Sequence, residues 1–119
     1  MTSVLLVDDD PRMQVLGRKV LERHGYRVVV AADGMEAAAA VDREPFDVVL
    51  MDLEMPRIDG HEAMRRIKAK QPALPVVAVT AYAMAGDSER CRAEGFDDYI
   101  SKPYEIQQLR SLVARLADR

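Results

Sequence analysis

The segment VLLVDDD, residues 4–10, passes from four apolar residues to three consecutive aspartates. An apolar run of this kind, rich in valine and leucine, predicts a strand that is buried on both faces. The aspartates then stand at the carboxyl end of that strand, where open α/β sheets place their ligands. Similar changes from apolar to polar occur in VVLMD, residues 48–52, and in VVAVT, residues 76–80. The sequence therefore predicts parallel strands whose polar ends share one edge of a sheet.

Strand-like runs alternate along the chain with segments whose apolar residues are three or four apart, which is typical of repeated strand–helix units. The predicted strands are residues 4–7, 27–31, 46–51, 75–79 and 98–100. Five such units predict the α/β class, a flavodoxin-like doubly wound (βα)5 fold with a parallel five-stranded sheet of order 2-1-3-4-5. Because 119 residues rarely hold two cores, we expect residues 1–119 to form one domain.

The helices carry capping signals, since a side-chain oxygen at the cap satisfies backbone N–H groups of the first turn. Asp10 followed by Pro11 fits an N-cap and a first helical position. Capping boxes are predicted for two further helices, from the pairs Asp33 with Glu36 and Asp59 with Glu62.

The apolar faces and ends of the helices can also be predicted. Met13, Leu16 and Val20 share one face of the first helix, and the last helix has a stripe of four apolar residues, Ile106, Leu109, Val113 and Leu116. Gly25 and Gly95 are expected to end helices before strands.

Composition excludes several classes of function. Seventeen basic and twenty acidic residues give a formal charge of -3, which does not indicate a nucleic acid or an anionic membrane as a partner. The single cysteine, Cys91, cannot form an intrachain disulfide, and no apolar stretch approaches the roughly 20 residues of a membrane helix. Because residues 1–10 have no basic region, they do not resemble a secretory signal. We therefore expect a cytoplasmic protein.

The polar residues at the strand ends suggest a shared site. Asp8 and Asp9 follow the first strand, Asp52 the third, Thr80 the fourth, and Lys102 the fifth. Two carboxylates about 4 Å apart repel by roughly 4 kcal/mol at an effective dielectric near 20, so the cluster calls for a cation. Oxygen ligands of this kind suit Mg²⁺. Carboxylate, hydroxyl, ammonium and Mg²⁺ are together the groups that phosphoryl transfer needs.

Four motifs in this order resemble the receiver domain of two-component response regulators. They are VLLVDDD (residues 4–10), VVLMDLEMPRIDG (48–60), VVAVTAYAM (76–84) and GFDDYISKP (95–103). The likeness runs from residue 4 to about residue 116, and residues 80–103 most resemble receivers of hybrid histidine kinases and of single-domain phosphorelay regulators. Both a stand-alone regulator and a domain of a larger protein remain open.

The resemblance implies that Asp52 is the phosphoacceptor, which takes a phosphoryl group from a histidine kinase or a histidine phosphotransfer protein with Mg²⁺ as cofactor. It implies that Asp9 and Asp52 bind the metal, that Asp8 acts through a metal-bound water, and that Glu54 supplies its backbone carbonyl. Such a domain is a signalling module and not an enzyme, apart from its own phosphorylation and dephosphorylation.

The resemblance also implies a switch. Thr80 would hydrogen-bond the phosphoryl group, Lys102 would form an ion pair with it, and Tyr99 would turn inward when Thr80 moves. A downstream protein would bind the face of the fourth helix, fifth strand and fifth helix, with the chain a monomer or a phosphorylation-dependent dimer. Glu54 and Tyr82 stand at positions that flank the phosphoryl group and modulate its lifetime in this family.

One enzymatic alternative is a small aspartyl-phosphate phosphatase, because Asp8 and Asp10 form a D-x-D on the first strand. In that reaction Asp8 would be the covalent site. Asp10, however, is better interpreted as a helix cap than as a ligand, since the proline after it fits the first helical position.

Overall fold

The computed structural model of the chain describes residues 2–54, 60–80, 87–102 and 106–117. Five strands and five helices alternate in these ranges. The strands are β1 (Ser3–Val7), β2 (Arg27–Ala31), β3 (Val48–Asp52), β4 (Val76–Thr80) and β5 (Asp98–Ser101). The helices are α1 (Pro11–Arg23), α2 (Gly34–Arg43), α3 (Gly60–Lys70), α4 (Asp87–Glu94) and α5 (Ile106–Ala117). In the described parts of the chain, no helix is long and apolar enough to cross a bilayer.

The strands form one parallel sheet of order β2-β1-β3-β4-β5, which confirms the predicted fold. Val7 pairs with Met51, so β1 and β3 end side by side. Thr80 pairs with Ser101 at the ends of β4 and β5. Because all strands run in the same direction, the residues that follow β1, β3, β4 and β5 lie at one edge of the sheet.

Two apolar layers enclose the sheet, because successive side chains of a strand point to opposite faces. Leu5 and Val7 of β1 pack into the layer beneath α2, α3 and α4. Val4 and Leu6 pack into the layer that contains residues of α1 and α5. All residues of β3 and β4 are buried, as predicted from their continuous apolar runs. A sheet covered on both faces leaves its strand ends as the place where polar groups meet solvent.

The predicted N-caps of α1 and α2 are confirmed. Asp10 Oδ1 accepts a hydrogen bond from the N–H of Arg12 at 2.9 Å, and Asp33 Oδ1 accepts one from the N–H of Glu36 at 2.9 Å. The Glu36 carboxylate turns back to the N–H of Ala32, one residue before the cap, and so differs slightly from a regular capping box. The proposed pair of Asp59 with Glu62 involves Asp59, which lies outside the described residues.

The inner face of α1 differs from the prediction. Leu16 is 39% exposed, whereas Val20 is buried and Met13 is partly buried. The buried positions of the helix are Gly17, Val20 and Leu21, so the stripe that faces the sheet is rotated toward Gly17. Since one residue turns a helix by about 100°, Leu16 lies at the margin of that stripe and not inside it.

The apolar stripe of α5 agrees with the prediction. Leu109, Val113 and Leu116 are buried in the apolar layer that contains residues of α1 and α5. Leu112 is buried in the same layer. The side chain of Ile106 lies outside what the structure describes.

Gly25 and Gly60 stand at backbone positions that favour glycine for different reasons. Gly25 follows α1 with φ of 88°, a left-handed conformation that costs other L-residues roughly 1–2 kcal/mol. Gly60 begins α3 against the end of β3: an added Cβ would lie 2.4 Å from the backbone oxygen of Asp52 and 2.9 Å from Cα of Leu53. Gly60 therefore sets how closely α3 approaches the strand that carries Asp52.

We expect Gly60→Ala to lower the free energy of unfolding by about 1–3 kcal/mol, because the methyl group meets backbone atoms that cannot rotate away. Urea unfolding of Gly60→Ala and Gly25→Ala would measure this. Both variants should be destabilised, but only Gly60→Ala should also change the nuclear magnetic resonance signals of Asp52 and Leu53. Wild-type stability and unchanged signals in Gly60→Ala would contradict the proposed clash.

Candidate functional site

Three carboxylates converge beyond the carboxyl ends of β1 and β3. One oxygen from each of Asp8, Asp9 and Asp52 lies within 4.8 Å of the others. Asp8 and Asp52 are buried, with 0% and 1% of their surface exposed, whereas Asp9 is exposed. The cluster follows from the topology, since β1 and β3 are neighbours although α1, β2 and α2 separate them in sequence.

Lys102 joins the two buried carboxylates. Its Nζ donates a hydrogen bond to Asp52 Oδ2 at 3.1 Å and also lies 3.1 Å from Asp8 Oδ2 as an ion pair. The backbone N–H of Lys102 donates to the carbonyl of Thr80 at 2.8 Å, so the β4–β5 pairing continues to the residue that carries the ammonium. With one ammonium among three carboxylates, the cluster keeps a negative charge when all of them are ionised.

Burial and neighbouring charges shift two pKa values in this cluster. Burial raises the pKa of Asp52 to about 6, and the charge of Asp8 adds to this, although hydrogen bonds from the Glu54 N–H and from Lys102 oppose the rise. For Lys102, burial acts to lower the pKa, but the hydrogen bond to Asp52 and the negative charges of Asp52 and Asp8 outweigh it and raise the pKa above its usual value. Lys102 therefore stays a cation at neutral pH, while Asp52 is ionised only above about pH 6.

The donor set fits a hard divalent cation. Oδ1 of Asp8 accepts a hydrogen bond from the N–H of Asp10 at 2.9 Å. Oδ2 is buried and has no hydrogen-bonded partner among the described residues, because the contact with Lys102 lacks hydrogen-bond geometry. A buried carboxylate oxygen without a hydrogen bond lowers the free energy of unfolding unless a further positively charged group binds it. Three carboxylates with one exposed member, Asp9, match the preference of Mg²⁺ for oxygen ligands and retained waters.

The loop after β1 is held in place from two sides. The N–H of Asp8 donates to the carbonyl of Ala31 at 3.0 Å. The side-chain amide of Gln14, one turn into α1, donates to the carbonyl of Asp8 at 2.6 Å. Asp10 caps α1 as predicted and lies outside the carboxylate cluster. Gln14 was missed by the sequence analysis, although its position four residues after the cap places it above the loop.

Thr80 lies next to the cluster but donates its hydroxyl to Glu54. The Thr80 Oγ1 hydroxyl hydrogen-bonds Oε1 of Glu54, and the Glu54 N–H donates to Asp52 Oδ1 at 3.0 Å. The backbone supports this contact, since the Leu53 N–H continues the β3–β4 pairing by donating to the carbonyl of Val79 at 2.9 Å. Glu54 was predicted to supply a backbone carbonyl and to flank the phosphoryl group, but its side-chain contact with Thr80 was not predicted.

Tyr99 lies behind Thr80, where it lines a cavity of about 350 Å³. The ring is half-buried and packs against the apolar layer beneath α2, α3 and α4. His61 lines the same cavity and pairs with Glu94 at 2.8 Å, which links α3 to α4. The structure thus brings together Asp8, Asp9, Asp52 and Lys102 in one cluster, with Thr80 beside it and Tyr99 one step further away. Tyr82 lies outside the described residues.

Comparison with known families identifies this architecture. Residues 4–114 match the family described as "Response regulator receiver domain". Among curated proteins, the chain is 42% identical over 117 residues to the sensor protein GacS of Pseudomonas syringae pv. syringae, covering 94% of this chain and 13% of GacS. It is 37% identical over 116 residues to the sensor histidine kinase RcsC of Salmonella typhi, covering 98% of this chain and 12% of RcsC. The chain thus spans about an eighth of the length of these relatives.

Solved structures agree with the sequence relatives. The receiver domain of sensor histidine kinase PA1611 from Pseudomonas aeruginosa PAO1, which has a magnesium ion coordinated in its active-site cleft, superimposes with a TM-score of 0.90 at 36% identity over 99% of this chain and 98% of that one. The response regulator TrrA from Thermotoga maritima, in complex with Mg²⁺ and BeF, gives a TM-score of 0.88 at 29% identity over 98% and 99%.

These findings do not favour the alternative of a phosphatase that uses Asp8. The match covers residues 4–114, and the sheet order is that of the predicted receiver fold. The chain belongs to the response regulator receiver domain family, the phosphoryl-accepting signalling domain of two-component systems.

Proposed function

We propose that Asp52 is the residue that accepts the phosphoryl group. The observation that carries this proposal is the position of its carboxylate, which ends a fully buried strand, is hydrogen-bonded by Lys102 and lies within 4.8 Å of the Asp8 and Asp9 oxygens. Asp9, the third carboxylate of the cluster, is exposed. A carboxylate held beside a fixed cation and two further carboxylates fits phosphoryl transfer, in which positioning and charge neutralisation supply most of the rate.

The donor would be a phosphohistidine of a histidine kinase or of a histidine phosphotransfer protein. An oxygen of the Asp52 carboxylate attacks phosphorus, the P–O bond forms, and the P–N bond breaks. The electron pair of that bond stays on the histidine nitrogen of the donor. Lys102 would then lie beside the new phosphoryl oxygens and offset their charge. The domain would in this way promote its own phosphorylation and, later, the hydrolysis of the phosphoryl group from Asp52. It would not act on a separate substrate.

Asp8, Asp9 and Asp52 would hold Mg²⁺, with Asp8 acting through a metal-bound water and Glu54 adding its backbone carbonyl. The ion would supply positive charge to the phosphoryl oxygens. The buried Asp8 Oδ2, which has no hydrogen-bonded partner among the described residues, supports this assignment. The chain's own contribution is to keep the carboxylates at a fixed spacing, through the hydrogen bonds that Gln14 and Asp10 make to Asp8.

The phosphoryl group would act as a switch through Thr80, which hydrogen-bonds it, and Tyr99, which turns inward. The output surface would be the α4–β5–α5 face. Asp98 of β5 ties that face together: it accepts a hydrogen bond from Arg92 of α4 at 3.1 Å and another from Arg115 of α5. Because β5 continues directly into Lys102, a change at the phosphoryl site reaches this face through the strand.

A downstream protein would bind the α4–β5–α5 face, with the chain acting as a monomer or as a phosphorylation-dependent dimer. We propose that residues 1–119 act as one receiver domain. The cytoplasm is the proposed compartment, since it keeps thiols such as that of the buried Cys91 reduced. Neither a nucleic acid nor a membrane is proposed as a partner, because the formal charge of -3 favours neither.

Incubation with acetyl phosphate and Mg²⁺ should add one phosphoryl group to the wild-type protein, as measured by intact mass. Asp52→Asn should gain none, because the nucleophilic carboxylate is lost. Asp10→Asn is the matched control, since asparagine also caps helices and Asp10 lies outside the cluster. An undiminished adduct on Asp52→Asn would contradict the assignment. Should acetyl phosphate label no variant, a phosphohistidine protein would replace it as donor.

Mg²⁺ should stabilise the fold of the wild-type protein and of Asp10→Asn. At ten times its dissociation constant, a ligand that binds only the folded state adds about 1.4 kcal/mol to the free energy of unfolding. Thermal unfolding with and without Mg²⁺ would show this as a rise in Tm. Asp9→Asn should lose most of the rise, because it removes one of three carboxylate ligands. An equal rise in Asp9→Asn and Asp10→Asn would place the ion elsewhere.

The raised pKa of Asp52 predicts a pH-dependent stability. Between the ordinary pKa of 3.8 and the folded value of about 6, the folded protein binds a proton that the unfolded chain has lost. The contribution of Asp52 to the free energy of unfolding therefore falls as the pH rises from about 4 to about 6. The stability gained by Asp52→Asn should grow across this range and then level off.

Urea unfolding at several pH values with a metal chelator present would measure this difference. Asp10→Asn serves as the control, because the N–H of Arg12 lowers the pKa of Asp10 and its titration lies below the range. A gain in Asp52→Asn that is independent of pH would show that the carboxyl is not shifted.

A further inference from the structure

The side chain of Glu54 accepts a hydrogen bond from the Thr80 hydroxyl, the same hydroxyl that the proposed switch requires. Thr80 Oγ1 donates its proton to Glu54 Oε1, and Thr80 is only 6% exposed. Glu54 is itself partly buried, and its backbone N–H is fixed by the bond to Asp52 Oδ1 at 3.0 Å. One residue thus contacts both the nucleophile and the switch hydroxyl.

A threonine hydroxyl has a single proton to donate. If that proton is bound to the Glu54 carboxylate, it is not available to an oxygen of a phosphoryl group on Asp52. We propose that Glu54 is a positioning residue that holds Thr80 in the resting arrangement, so that the phosphoryl group must displace the Glu54 carboxylate before it can bind Thr80. This inference rests on the proposed function of Asp52 and adds an acceptor that competes with its product.

The backbone holds Glu54 and Thr80 beside each other. The β3–β4 pairing extends past Asp52 through the bond from the Leu53 N–H to the Val79 carbonyl, which keeps the Glu54 backbone beside the end of β4. Lys102 is anchored to the carbonyl of Thr80, so the threonine backbone is held as well. The exchange of acceptors then requires a change of side-chain rotamer on Glu54 and on Thr80, and a shift of the resting population toward the active arrangement.

The negative charge of Glu54 could also weaken phosphoryl binding by electrostatic repulsion alone. This repulsion and the competition for the Thr80 hydroxyl can be told apart by measurement. Glutamine keeps an oxygen acceptor for Thr80 but has no charge, whereas alanine has neither. Competition for the hydroxyl requires the hydroxyl, so it disappears when Thr80 is replaced by valine. Repulsion by charge does not depend on Thr80.

The test measures the affinity of the Mg²⁺-loaded protein for beryllium fluoride, by calorimetry, in Glu54→Ala, Glu54→Gln and the wild type. Each of these three proteins is prepared both with Thr80 and with the substitution Thr80→Val. With Thr80 present, we expect Glu54→Ala to bind roughly tenfold more tightly than the wild type, the size of a hydrogen bond to a charged group. Glu54→Gln should gain less, because its amide still accepts the threonine proton. In the Thr80→Val background, Glu54→Ala should change the affinity by less than about twofold.

Two results would overturn the proposal. Equal gains for Glu54→Ala in both backgrounds, or equal gains for Glu54→Gln and Glu54→Ala, would show that Glu54 acts by charge and does not hold Thr80. Urea unfolding of every variant, and the methyl resonance of Thr80 without beryllium fluoride, show whether the variants fold and whether the threonine is released. The methyl resonance should move in Glu54→Ala and stay near the wild-type position in Glu54→Gln.

A failure of the proposed function would look different. In that case the wild-type protein would bind no beryllium fluoride and would gain no phosphoryl group in the mass measurement, whatever stands at position 54. The Thr80 methyl resonance, recorded without any phosphoryl analogue, would still report whether Glu54 holds the hydroxyl.

Discussion

Two buried carboxylates at the ends of neighbouring strands, Asp8 and Asp52, are kept together by a single ammonium. Lys102 Nζ lies 3.1 Å from an oxygen of each, in a place where both carboxylates have almost no exposed surface. Buried like charges are costly unless paired and hydrogen-bonded. Lysine offsets only part of the negative charge, and the remainder would favour the binding of a divalent cation.

The apolar layers make this crowded site possible. β1 and β3 are buried over nearly their whole length, and each side of the sheet has its own apolar cluster. Such a sheet fixes the strand ends rigidly, so the carboxylates cannot move apart to relieve their repulsion. Gly60 contributes to the same rigidity, because its missing Cβ lets α3 begin directly against the carbonyl of Asp52. The geometry of the site is thus set by packing elsewhere in the molecule.

The sequence predicted the elements whose physical signal is local or strongly periodic. Every predicted strand lies within two residues of its observed bounds, and the caps at Asp10 and Asp33 follow from side-chain chemistry that acts over three residues. The convergence of Asp8, Asp9 and Asp52 followed from one further rule, that parallel strands end at one edge. Leu16 was placed on the inner face of α1, because periodicity alone does not fix how a helix is rotated against the sheet. Glu54 as the acceptor of the Thr80 proton depends on side-chain rotamers across two strands, for which the sequence has no pattern.

The positions of Thr80 and Lys102 explain why chemistry at Asp52 would be felt on a distant surface. Both residues continue neighbouring strands and are joined by a backbone hydrogen bond. A new group on Asp52 that binds their side chains would pull on the ends of β4 and β5 together. β5 is only four residues long, and at its other end Asp98 holds Arg92 of α4 and Arg115 of α5. β5 thus has a charged anchor for two helices at one end and Lys102 just beyond the other, so a phosphoryl group that bound Lys102 would act on the α4–β5–α5 face through this short strand.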